Sequence, residues 1–169
     1  MKHLKTLLFA AILFVGTTSL ATAQSKVAHI NTTELVQAMP EMQAAKAEIE
    51  KLSQTYDAQY KEMVTELQNK VKQYRAEVDT KTEEENTKRA QEVQGIEQGI
   101  RQYQAQAQED LAKKESALLK PIFEKAKAAI QKVATAKGFN YVLDSTEGGG
   151  VLVAAGTDIL TDVKKELGF

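Results

Sequence analysis

The side chains with chemical potential in this sequence are few. Three adjacent carboxylates, Glu83, Glu84 and Glu85, could hold a divalent cation, Gly148, Gly149 and Gly150 could wrap a phosphate, and His29 could carry a proton. None of the three is completed by its surroundings. A phosphate loop needs a Lys-Ser/Thr pair and a helix directly after its glycines, and Val151 to Ala155 supply neither. His29 is the single histidine beyond residue 23 and cysteine is absent, so no metal cluster or relay assembles around it; a structural or pairing role fits better. The acidic triplet follows Thr82 where a helix begins, and carboxylates there suit the helix's positive end. "NTT" at Asn31 matches a glycosylation sequon, a pattern too short to decide anything. With no paired nucleophile and base, the sequence reads as a non-enzyme with no catalytic residues, no cofactor and no metal.

Function must then lie in the elements themselves. The chain opens with Lys2 and Lys5, an apolar run from Leu7 to Leu20, and Ala21-Thr22-Ala23. That order predicts a secretory signal peptide over residues 1–23, cleaved before Gln24, since the run is short for a bilayer span and no stop-transfer pattern follows. An uncleaved anchor suits the small-residue site less well, and no cysteine follows to accept a lipid. Removing Lys2 and Lys5 from the 22 basic residues leaves 20 against 23 acidic, a net of −3. A nucleic-acid binder would carry a basic excess. An exported chain without disulfides must draw its stability from packing or from assembly.

From Met42 to Val78 the apolar residues advance in ten steps over 36 positions, a mean of 3.6, which is the period of one amphipathic helix. Tyr56, Tyr60 and Met63 lie on this stripe. Thr82 with Glu85 forms a capping box, and a second stripe runs from Val93 through Tyr103 to Val133, ending near Gly138. Two long helices joined by so short a loop lie antiparallel, stripe against stripe. Pro121 removes one backbone bond from the second helix and is expected to kink it where the arm meets its base; a break into two helices is the alternative. Gly95 and Gly99 interrupt good helix formers, serving either arm flexibility or close approach of the facing helix. Such a two-helix arm is marginal by itself and needs a stable base.

The base is expected from the two ends. Lys26 to Asn31 alternates like a strand, and Thr32 or Thr33 can cap the helix after it. Phe139 to Asp144 alternates likewise, Gly148 to Gly150 supply a turn, and Val151 to Ala155 read as a third strand, before a closing helix from about Asp158 to Leu167. The hairpin brings both ends together, so the first strand can pair with the last two. Open edges and excess apolar surface point to an oligomer joined through this body, with Val27, Ile30, Tyr141, Leu143, Leu152 and Val153 as its candidate contacts. The predicted fold is thus α+β and predominantly helical: a long antiparallel helical hairpin on a small β body made from N- and C-terminal strands. Residues 24–41 open the body, 42–120 form the arm, and 121–169 carry the kinked helix end, two strands and the closing helix.

With "KVAHIN", Met39-Pro40, "PIFEKAKAAIQKVATAKGFNYVLD" and "GGGVLVAAGTDI", the chain resembles the Skp/OmpH family of periplasmic chaperones over nearly all of its length beyond residue 23. The resemblance implies a periplasmic homotrimer whose arms project from a barrel-like body and hold unfolded outer-membrane β-barrel proteins, without ATP, in the cavity between them. Tyr56, Tyr60, Met63 and Tyr103 are candidate client contacts on the arms, although their spacing also suits the hairpin seam. Two features depart from the family. Between Lys70 and Glu92 six basic residues face six acidic ones, so the arm tips have no net positive charge, and contact with membrane or lipopolysaccharide is left open. The family's closing "DIT" also reads "DIL" here. The other reading is a structural or adaptor coiled-coil protein, for which the segments flanking the hairpin are short.

Overall fold

The computed structural model describes residues 25–169, and the expected signal peptide lies outside the described residues. Strand β1, Val27–Ile30, turns its Ala28 and Ile30 into the interior. Helix α1, Thr32–Ala38, is capped by Asn31, whose side chain accepts the Glu34 N–H at 2.9 Å. The expected caps Thr32 and Thr33 fall instead in the first turn, because Asn31 is the last residue still extended. Met39 is held out of the helical region by the proline after it. Pro40 then opens helix α2, Pro40–Glu77, where its missing N–H costs nothing.

Helix α2 has 38 residues and is about 57 Å long, and α3, Glu83–Lys137, has 55 and is about 82 Å long. Between them lies a short 3-10 turn, Val78–Thr80. Thr82 and Glu85 form the reciprocal capping box expected from the sequence. Helix α3 runs unbroken through Pro121, so it is a single helix. It stops at Gly138, whose φ of 74° an L side chain rarely adopts, and Phe139 N–H bonds back to the Ala134 carbonyl at 2.9 Å.

Strand β2, Tyr141–Asp144, and strand β3, Thr157–Asp158, flank β1 in the order β2-β1-β3, and both pairs are parallel. The first strand does pair with both later ones, but the third is not Val151–Ala155. That segment is irregular, and the glycine turn before it, with Gly148 at φ 81° and Gly150 at φ 89°, leads into a loop rather than a hairpin. The register follows from burial. Ile159 and Val163 are fully enclosed in the core, which draws the adjacent Thr157 and Asp158 against Ala28 and His29. Helix α4, Leu160–Leu167, begins two residues after Asp158, whose side chain accepts the Leu160 N–H at 2.8 Å.

The core lies entirely at the base. Ala28, Ile30, Leu35, Met39 and Met42 meet Ile122, Ala126, Ala129 and Val133 from the far end of α3, with Ile159 and Val163 closing the cluster. The overshoot of α3 beyond α2 therefore supplies a wall of the body.

Candidate functional site

Above the base the hairpin has no third layer. Between the tip and Ile122, Ile100 and Ala107 are the buried residues of α3, and the rest of both stripes along that length is at most half-buried. Tyr56 and Tyr103 meet edge to face, with centroids 6.0 Å apart. The Tyr103 hydroxyl donates to Gln59 Oε1 at 2.5 Å, and the Tyr56 hydroxyl donates to Asp110 Oδ2 at 3.2 Å. Burial and then the Asp110 charge push the Tyr56 phenol above its ordinary pKa. Tyr60 and Met63 are half-buried along the same stripe. All four expected contact residues thus sit in the seam, offering edges to solvent rather than whole faces.

The tip holds a polar network for which the apolar pattern carries no signal. Glu92 on α3 accepts from Lys70 and from the Tyr74 hydroxyl, the latter at 2.6 Å, and these two bonds, that to Lys70 foremost, lower its pKa. Arg89 stacks over the Tyr74 ring and bonds Glu77 Oε2 at 2.5 Å. Asn86 donates to the Val78 carbonyl at 2.9 Å, tying the turn to the start of α3. Three of the six basic side chains there, Lys70, Lys88 and Arg89, are paired with Glu92, Glu84 and Glu77, so the balance counted in the sequence is in part a local neutralisation. Arg89 lines a cleft of about 530 Å³ with Val71, Val78 and Val93.

Gly95 and Gly99 were open to two explanations, and one of them falls. A Cβ built on either meets nothing within 4 Å, so neither glycine admits a close neighbour.

At the root of the arm two apolar clefts adjoin through Met42 and Lys46. One, of about 470 Å³, is lined by Val36, Phe123 and Ile130, and the other, of about 640 Å³, by Ile49, Leu118 and Leu119. Phe123 is exposed here, one position off the stripe residue Ile122, and the periodic pattern did not single it out.

The outer face of the body is the second apolar surface. Val27 stands beside Tyr141 and His29 beside Leu143 in the parallel register, and Val27, Tyr141 and Leu143 are exposed. Leu152 is 98% and Val153 81% exposed on the glycine-rich loop. Ile30 differs from the other five candidates of this set: its side chain belongs to the protomer's own core. His29 spans two loops, with Nε2 3.3 Å from the Gly156 carbonyl and Nδ1 3.4 Å from Ser145 Oγ, a structural role. Next to it, Asp144 accepts from Thr32 Oγ1 at 2.6 Å and Thr146 Oγ1 at 2.7 Å, as well as from both backbone amides. Burial raises its pKa, but the hydrogen bonds from Thr32 and Thr146 prevail and bring it down to about 2. The sequence reading missed Asp144, although Asp-x-Thr with the side chain accepting from the amide two residues on is a recognisable turn signature.

Among the described residues there is no group of three acidic or histidine side chains able to hold a metal ion, and no helix long and apolar enough to cross a membrane. A family model described as outer membrane protein (OmpH-like) matches residues 26–167. The fold is similar to the crystal structure of an OmpH-like protein from Caulobacter crescentus CB15, with a TM-score of 0.75 at 20% identity, covering 86% of this chain and 85% of that one. Comparison with curated proteins gives no match.

Proposed function

The chain belongs to the OmpH-like outer membrane protein family, and from that premise we propose that it is a chaperone, specifically an ATP-independent holdase acting in the periplasm. It works as a homotrimer joined through the outer faces of three bodies, with three arms surrounding a cavity for unfolded outer-membrane β-barrel proteins. The observation that carries this reading is the division of the molecule into a packed base and an arm of about 57 Å whose seam is only half-buried. The clefts along such an arm are open rather than enclosed, a poor shape for selecting one ligand. It offers many shallow apolar contacts, densest in the clefts at its root, and these suit a chain that has not folded. A holdase needs no chemical step: binding the unfolded state lowers its free concentration, and with it the rate of aggregation.

The test is the light scattering of a urea-unfolded barrel protein diluted into buffer with or without a molar excess of the mature chain. Suppression without nucleotide is expected; equal scattering in both samples rejects the reading.

A further inference from the structure

The two clefts at the root of the arm form one groove, and its chemistry changes along its length. The first cleft lies among α1, α2 and α3, where Val36, Met42, Phe123 and Ile130 surround about 470 Å³. The second continues up the seam of α2 and α3, through Met42 and Lys46 to Ile49, Leu118 and Leu119, with about 640 Å³. Each has the size of a small-ligand site, roughly 300–1,000 Å³. Phe123 stands 53% exposed at the first, an aromatic ring the fold leaves uncovered.

Lys46 and Lys127 border the first cleft, and among the described residues neither is in an ion pair. Other lysines of this region are engaged: Lys125 with Glu41, Lys114 with Glu48, Lys164 with Glu34. The two carboxylates of the groove, Glu50 and Glu115, border the second cleft. The groove thus carries its free positive charge toward the body and its negative charge toward the arm.

The walls decide what kind of chain can lie there. They are helices, whose backbone groups bond one another, and the Thr32 hydroxyl is engaged with Asp144. A polypeptide can dip single side chains into either cleft while its amides stay in water. Laid along both, it would bury amides without partners, a penalty that apolar contact does not offset. An acyl chain has no amides to satisfy.

We propose that the groove binds a long-chain fatty acid, its carboxylate at Lys46 and Lys127, its first methylenes against Phe123 and its tail along Ile49, Leu118 and Leu119. Glu50 and Glu115 repel the carboxylate from the other end, so one orientation is favoured. Being open, the groove takes this class of amphiphile and not one chain length. The site does not rest on the holdase reading.

The mature chain is titrated with cis-parinaric acid, a fluorescent fatty acid, below its micelle-forming concentration, and the probe is then displaced with palmitate or with hexadecanol. Saturation at about one probe per protomer is expected, with palmitate the stronger competitor. Lys46→Gln/Lys127→Gln should weaken the probe about fivefold and abolish the advantage of palmitate over hexadecanol. Phe123→Gln should weaken both competitors about tenfold. All three side chains are exposed, so the variants are expected to keep the helical signal of the wild type. Spin-labelled stearates read the direction: a nitroxide at carbon 5 should broaden the amide signals of Val36 and Ile130, and one at carbon 16 those of Ile49 and Leu118. Absence of saturable binding, equal affinity in wild type and variants, or broadening spread along the whole arm overturns the site. A chain that suppresses aggregation yet binds no fatty acid keeps the holdase and loses this site; the converse keeps the site and loses the holdase.

Discussion

The Arg89 guanidinium lies over the Tyr74 ring, 4.6 Å from its centroid, and joins the two helices of the arm at its tip. Only 18% of the Arg89 side chain is exposed, so this contact is shielded more than an ordinary surface ion pair. One Arg89 nitrogen, Nη1, is buried without a hydrogen-bond partner, which leaves the stacking and the Glu77 bond as the contacts that hold the side chain in place.

Arg89→Ala is therefore expected to loosen the tip alone. Amide exchange over residues 70–92 should quicken about tenfold, with the body unchanged. Arg89→Lys should fall between, because it keeps the charge but loses the flat stacking surface. Exchange unchanged in Arg89→Ala would show the stack to be energetically idle.

Asp144 makes the stability of the body pH-dependent. Its folded pKa of about 2 lies below the ordinary 3.8, so its contribution is fully present above about pH 4 and is lost as pH falls toward 2. Discounted for its exposed position, the contribution is about 1 kcal/mol. The difference in urea midpoint between wild type and Asp144→Asn should stay level above pH 5 and shrink toward zero near pH 2. A constant difference across that range contradicts the assignment.

Thr82→Ala removes the side-chain acceptor at the start of α3 and leaves the Glu85 N–H without its cap. The expected loss is about 1 kcal/mol of local helix stability, read as faster exchange over the first turn of α3. Thr82→Ser retains the hydroxyl and should behave as wild type.

Leu152 and Ile159 separate assembly from folding. Leu152 touches almost nothing within its own chain, so Leu152→Asp should leave protomer stability near that of wild type while lowering the assembled mass measured by light scattering. Ile159→Ala, at a fully enclosed position, should cost about 2–5 kcal/mol of unfolding free energy. If Leu152→Asp assembles like the wild type, the glycine-rich loop is not part of the proposed trimer contact.

The parts legible in the sequence are those decided within a few residues or by a repeated period. Thr82 with Glu85 and the stop at Gly138 are local events, and both are found where the residues put them. The arm follows from its stripe. The misplaced third strand was decided at long range: Val151 to Ala155 has the composition of a strand, but Thr157 and Asp158 take the edge because Ile159 is buried beside them. The tip network escaped for a related reason, since Arg89, Tyr74 and Glu92 meet across two helices and polar partners leave no periodic trace. Asn31 was passed over as the cap in favour of the threonines after it, whose hydroxyl and amide groups turn out to serve Asp144 and Thr146.

The central place of β1 also sets a timetable. Lys26 and Asn140, which bond to each other at the start of the sheet, are 114 positions apart, and β3 is later still. The hairpin can zip up from its turn through near neighbours, whereas the sheet waits for both ends of the polypeptide to meet. Contact order on that scale makes the sheet the slow step of maturation. A chain truncated before Tyr141 deprives β1 of both neighbours at once, leaving an arm with no foot to stand on.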